Sequence, residues 1–198
     1  MSPFVYIDHV IYATADLQAA ADRVQADLGL SAVAGGRHDG LGTHNRIVPL
    51  GDGSFLELLA VADPQEASGS AIGSAVQTAI ARGDGLLGWA VAVEDVQVVA
   101  ARLGTTITTV GRQGMTASLT AVAESLAEPF LPFFIERRAG HQAADGAVAT
   151  RAISWIELAG DADRLEQWLG GAELPVRVVE GGAGVRAIAV GGHELRTA

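Results

Sequence analysis

Ile7-Asp8-His9-Val10-Ile11-Tyr12-Ala13-Thr14-Ala15-Asp16 and Leu86-Leu87-Gly88-Trp89-Ala90-Val91-Ala92-Val93-Glu94-Asp95 are the stretches whose reading decides the fold. Each is a run of β-branched, aliphatic and aromatic residues that reads as a strand. Each ends on an aspartate placed to cap a following helix. Asp16 and Asp95 lie 79 positions apart, and Phe55-Leu56-Glu57 lies 79 positions before Phe134-Ile135-Glu136. One register therefore runs from the first helix cap to the last strand, and the chain reads as a duplicated unit.

Outward from the first stretch, Leu17, Ala20, Ala21, Val24 and Leu28 recur at helical spacing and Gly29 stops them. Residues 31–34 read as a strand, Gly35 to Gly40 as a loop, and 43–50 as a strand. Gly51-Asp52-Gly53 reads as a hairpin turn and 54–62 as the return strand. This is a first β-α-β-β-β unit over 3–63. A connector follows over 64–85, with a helix at 71–82. The second unit, 86–138, repeats the order: a strand to Val93, a helix to Leu103, strands at 107–110 and 116–122, a loop at 124–129 and a strand at 130–137. Residues 139–150 read as a joining loop. A third, shorter unit over 152–198 has a strand, a helix closed by Gly170-Gly171, and three further strands. The expectation is one compact α+β fold of repeated βαβββ units, with curved mixed sheets around a cleft.

Composition narrows the function. Apolar residues make up 49% of the 198-residue chain, enough for a core, and charged residues 18%, too few for a disordered chain. Cysteine is absent, which excludes disulfides, thiolate metal sites and a cysteine nucleophile. All 13 basic residues are Arg, so no lysine Schiff base or phosphate-loop lysine exists. The formal net charge of -10 argues against nucleic-acid and membrane-surface partners. No apolar run is long enough to span a membrane and the N-terminus lacks a basic leader, so a cytoplasmic location is expected. Gly181-Gly182-Ala183-Gly184 reads as a hairpin turn, and no nucleotide cofactor is expected.

Side chains alternate across a strand. Ile7, His9 and Ile11 share one face of the first strand, and Phe55, Glu57 and Leu59 one face of the fourth. His9 and Glu57 are the ionisable residues within those inner stretches, and an unpartnered buried charge costs several kcal/mol. They are expected to pair with each other or to share a cation. The duplication places Glu136 at the equivalent of Glu57, with Phe134 beside it, and Gly88 at the equivalent of His9. One imidazole and two carboxylates suit a divalent cation such as Mn, Fe, Ni, Zn or Mg. The competing reading of Glu57 is a carboxylate paired to Arg46 or Arg37. His38 and His44 are alternative ligands beside His9, and Arg37 or Arg46 could hold a substrate carboxylate.

With those residues in place, the chain resembles the vicinal oxygen chelate superfamily and, within it, the glyoxalase-like domain proteins. The matching stretches are Ile7 to Tyr12, Gly35-Gly36-Arg37-His38 with Thr43-His44-Asn45, Phe55 to Ala60, Gly88 to Val91 and Leu131 to Ile135. The resemblance implies paired βαβββ units closing on a cleft. It implies metal ligands on the first, fourth, fifth and eighth strands, matched here by His9, Glu57 and Glu136. The fifth-strand position is Gly88 or Trp89, neither of them a ligand. Glu57 or Glu136 would serve as catalytic base, and Arg37, His38, His44, Asn45, Trp89 and Phe134 would contact the ligand. The implied function is binding of a small oxygen-rich or aromatic metabolite, with a divalent metal, as a lyase, isomerase or dioxygenase. The alternative is a metal-free protein that binds or sequesters a small molecule without catalysis. Paired units in this superfamily often complete their sheets between chains, which implies a homodimer unless the third unit takes that place.

Overall fold

The structure, a computed structural model, describes residues 5–112, 115–137 and 151–197. The joining segment, with His141, and the first four residues lie outside the described residues.

The first unit runs β1 (Tyr6–Ala13), α1 (Leu17–Leu28), β2 (Val33–His38), β3 (Thr43–Pro49) and β4 (Phe55–Val61). The second runs β5 (Gly85–Val93), α4 (Val96–Leu103), β6 (Ile107–Arg112), β7 (Met115–Thr120), α5 (Val122–Ala127) and β8 (Phe133–Glu136). Between them lie α2 (Pro64–Ser68) and α3 (Ala71–Ile80). The caps that suggested the duplication are present. Asp16 accepts from the backbone N–H groups of Gln18 and Ala19, and Asp95 from that of Gln97. Gly29 and Gly104 end the two helices at φ of 65° and 70°, a left-handed turn that a side chain would strain.

The eight strands form one curled mixed sheet in the order β1-β4-β3-β2-β6-β7-β8-β5. Within each unit the first strand lies parallel to the fourth. The units join where β1 runs antiparallel to β5, and the far seam closes between β2 and β6 at His38 and Arg112. All of this pairing lies within a single chain.

The third unit runs β9 (Ile153–Ala159), α6 (Ala162–Leu169), β10 (Val176–Val179), β11 (Gly184–Val190) and β12 (His193–Arg196). Its element order repeats the other two, but its pairing differs. The strand order is β10-β9-β11-β12, so the first strand is central and parallel to the second rather than to the fourth. This sheet lies outside the barrel. Ile156, Leu158 and Ile188 form one buried cluster with Val10 and Tyr12 of β1, Trp89 and Val91 of β5, and Phe134 of β8. That explains why the barrel strands are apolar on both faces: one face packs on helices and the third unit, the other on a cavity. No described helix is long and apolar enough to cross a membrane.

Two segments differ from expectation. Gly35 to His38 belongs to β2, because a bulge opposite β3 absorbs the glycines: Ala34 pairs with Arg46 and Arg37 with His44. Residues 122–127 form α5 rather than a loop. That helix is a turn and a half long and follows Ala121 at φ 64° with no side-chain cap, so it left no start signal.

Candidate functional site

The concave side of the barrel encloses a cavity of about 190 Å³. Its walls are mostly apolar: Ile11, Phe55 and Leu59 from the first unit, Val110, Leu119, Phe133 and Ile135 from the second, and Ile72 of α3 across them. One region is polar and is built by His9, His38, Asn45, Glu57 and Arg137.

His9 reaches this space through a bulge. Ile7 pairs with Val91 and His9 with Ala90, so two steps along β1 match one along β5 and Asp8 is the extra residue. The bulge lets the carboxylate of Asp8 meet the ring of its own neighbour, with Oδ1 2.6 Å from Nδ1 of His9. The Arg137 guanidinium holds the other Asp8 oxygen from Nε at 2.9 Å. Asp8 is fully buried. Burial alone raises its pKa, but the hydrogen bond to His9 and the Arg137 guanidinium outweigh it and leave the carboxyl below its ordinary value. The His9 ring stacks on Phe55 at 4.7 Å between centroids and meets Phe133 edge-on at 5.5 Å.

Glu57 sits between two histidines. Its Oε2 lies 3.7 Å from Nε2 of His9, and its Oε1 lies 3.5 Å from Nε2 of His38. Asn45 Nδ2 donates to Oε1 at 2.5 Å and to Nε2 of His38 at 3.2 Å. The backbone N–H of Gly36 donates to Asn45 Oδ1 and so fixes which end of the amide faces Glu57. The glycine bulge makes this possible. A Cβ at Gly35 would stand 1.9 Å from Asn45 Oδ1.

The other expected residues are placed elsewhere. Glu136 does not join His9 and Glu57. Phe133 and Ile135 are the inward residues of β8, so Phe55 and Glu57 correspond to them at a spacing of 78, not 79. A slip of one residue turns a strand side chain to the opposite face. Glu136 accordingly points toward the start of α4, 3.5 Å from the backbone N of Val96. The same parity buries Phe134 in the core cluster. Trp89 is also core and donates from Nε1 to the carbonyl of Phe130 at 3.0 Å. Arg37 is exposed and paired with Glu66 and Asp63 rather than with a ligand. His44 and Arg46 alternate with Thr43 and Asn45 on β3 and face away from the cavity, Arg46 donating to Gln18. Glu57 pairs with neither arginine. Of the expected ligand contacts, His38 and Asn45 line the cavity. Asp8 and Arg137 were not singled out. They are 129 positions apart, and the bulge that turns Asp8 inward has no sequence signature.

The donor set implied by the resemblance is not assembled. The first- and fourth-strand positions are His9 and Glu57, but the inward eighth-strand residue is Ile135. The fifth strand offers Ala90 beside His9. Among the described residues no three His, Asp or Glu side chains are arranged to hold a metal ion.

Paired βαβββ units, joined through their first strands around a cavity that holds a first-strand His and a fourth-strand Glu, define a vicinal-oxygen-chelate protein. Residues 7–174 match the family model described as a glyoxalase-like domain, and the chain belongs to that family. The match reaches through α6 and ends before β10. A hypothetical protein from Staphylococcus aureus shares the fold at a TM-score of 0.69 and 12% identity, over 94% of this chain and 90% of that one. Methylmalonyl-CoA epimerase from Mycobacterium tuberculosis is similar at a TM-score of 0.51 and 21% identity, over 69% and 89%. Hypothetical protein BH1468 from Bacillus halodurans C-125 is similar at 0.52 and 18%, over 72% and 99%. No curated protein sequence matches the chain.

Proposed function

We propose that the cavity binds a compact metabolite with an aromatic or aliphatic body and an oxygen-bearing head, and that His9 and Glu57 move a proton at that head in an isomerase-type reaction. The observation that carries this reading is the line Asp8, His9, Glu57 at the polar side of an otherwise apolar cavity, with separations of 2.6 and 3.7 Å. Asp8 holds the ring by Nδ1 and stabilises the imidazolium that forms when Nε2 takes a proton. For an enol, the O–H bond breaks and its electron pair becomes the carbonyl π bond. The C=C pair then takes a proton, returned from the ring, and a C–H bond forms. The reaction balances without oxidant or cofactor. General acid–base work of this kind is worth about 10²–10⁴-fold in rate.

The second reading is sequestration without turnover, favoured by the apolar walls and by the committed hydrogen bonds of Glu57. One experiment separates the two. Enolisable aryl ketones are incubated with the protein in D₂O, and NMR follows both binding and deuterium entering the carbon beside the carbonyl. Exchange that disappears in His9→Gln while binding persists supports the isomerase. Binding without exchange leaves sequestration, and no binding to the cavity rejects both.

A further inference from the structure

Where His9 and Glu57 face each other across the cavity, lone pairs rather than hydrogens point at the space between them. Arg137 donates to Asp8 Oδ2 at 2.9 Å and to Oδ1 at 3.4 Å, so Asp8 is held as an anion. Its Oδ1, 2.6 Å from His9 Nδ1, therefore requires the ring proton on that nitrogen. In the neutral ring Nε2 then carries a lone pair. Asn45 spends its amide hydrogens on Glu57 Oε1 and His38 Nε2. Glu57 Oε2 and His9 Nε2 face each other at 3.7 Å, too far for a direct hydrogen bond. Two acceptors stand either side of a gap that one donor group would close.

We infer that this pair selects a ligand whose head is a neutral or cationic hydrogen-bond donor, such as a phenol, enol, alcohol or amine, carried on an apolar body, and that it discriminates against carboxylates. This rests on the cavity being the ligand site proposed above. Charge points the same way. Arg137 gives two of its five N–H groups to Asp8, and the gap itself is flanked by the Glu57 carboxyl group. A ligand carboxylate placed in that gap would set a second acidic group against Glu57, where both the His9 and Glu57 side chains are about nine-tenths buried. A phenol or enol O–H instead bridges both acceptors, and it presents to His9 the proton that the isomerase reading moves.

The test uses four ring probes of similar size, namely phenol, benzylamine, toluene and benzoate, titrated into the wild-type chain. Backbone amide shifts of Ile11, Leu59 and Ile135 report occupancy of the cavity. Phenol or benzylamine should bind at least about tenfold more tightly than toluene and benzoate, the worth of one hydrogen bond to a charged group. Benzoate binding as tightly as phenol overturns the inference, because the acceptor pair would then set no preference for a donor head. Toluene binding as tightly as phenol also overturns it, since the acceptor pair would then contribute nothing. Shifts at those amides with no preference among probes would leave the cavity a ligand site and remove only the head-group selection. No shifts with any probe would reject the site itself. In Glu57→Gln, whose amide can donate, the preference for phenol over benzoate should fall about tenfold; an unchanged preference counts against the acceptor pair.

Discussion

Asp8 and His9 are consecutive residues of one strand, yet Oδ1 of the first lies 2.6 Å from Nδ1 of the second. Regular alternation would place them on opposite faces. The bulge against β5 cancels that alternation at one point and converts two neighbours into a carboxylate–imidazole couple.

Asp8 is held below its ordinary pKa by His9 and Arg137 in spite of burial. A depressed carboxyl contributes stability that is present above its unfolded value of about 3.9 and is lost as pH falls through the lower folded value. Urea unfolding between about pH 7 and pH 2 should show the wild type losing more stability on acidification than Asp8→Asn. Arg137→Ala should cost about 3 kcal/mol near neutral pH, since it strands a buried charge.

Glu57 and Glu136 should behave differently although both end a Phe-x-Glu triplet. Glu57→Gln should weaken or redirect ligand binding. Glu136→Gln should leave cavity binding within about twofold and cost a few tenths of a kcal/mol through its position at the start of α4. Titration of one cavity ligand into both variants decides it, and equal effects would mean that β8 is in the other register.

Gly35→Ala should be disruptive although the position is only half-buried. The added carbon would meet Asn45 Oδ1 at 1.9 Å and the Asn45 carbonyl oxygen at 2.5 Å. Overpacking of this kind costs about 1–3 kcal/mol. It would also displace the amide that holds Glu57. The expected readout is weaker ligand binding together with a lowered denaturation midpoint, whereas Gly40→Ala, with nothing within 4 Å of the new carbon but a backbone φ of 72°, should lower the midpoint and spare binding.

Trp168 donates from Nε1 to the Pro132 carbonyl at 2.9 Å and is 8% exposed. Trp168→Ala should cost about 3–5 kcal/mol. The third unit and the barrel share one core cluster, so unfolding should remain a single transition at a lower midpoint. A separate early transition of the C-terminal unit would contradict that shared core.

Mn, Ni and Zn should bind the wild-type chain no more tightly than they bind the His9→Ala, Glu57→Ala double variant, because the inward partners on β5 and β8 are Ala90 and Ile135. Calorimetric titration measures this directly. A stoichiometric site lost in the variant would restore the metal to the reading.

Local signals were legible where local physics acts. Asp16 and Asp95 cap the helices they were expected to cap, and Gly29 and Gly104 end them. His9, Glu57, His38 and Asn45 were picked out as inward or ligand-facing, and all four line the cavity. Trp89 alternates with Gly88 and Ala90 on β5 and lies in the core, whereas Glu136 and Phe134 face away from the cavity for one shared reason. The spacing of the repeat is 79 at the helix caps but 78 at the last strand, and nothing in the triplets themselves shows the lost residue.

The sequence by itself determined the duplicated βαβββ order, the helix ends and the scarcity of ionisable groups inside the first and fourth strands. These depend on spacing, capping and alternation over a few residues. The tertiary structure alone decided which carboxylate faces the cavity, that Asp8 and Arg137 support His9, and that the third unit pairs its strands differently from the other two. Strand register and bulges are set by contacts between segments far apart in the chain, and a shift of one residue in that pairing exchanges the inside of a barrel for the outside.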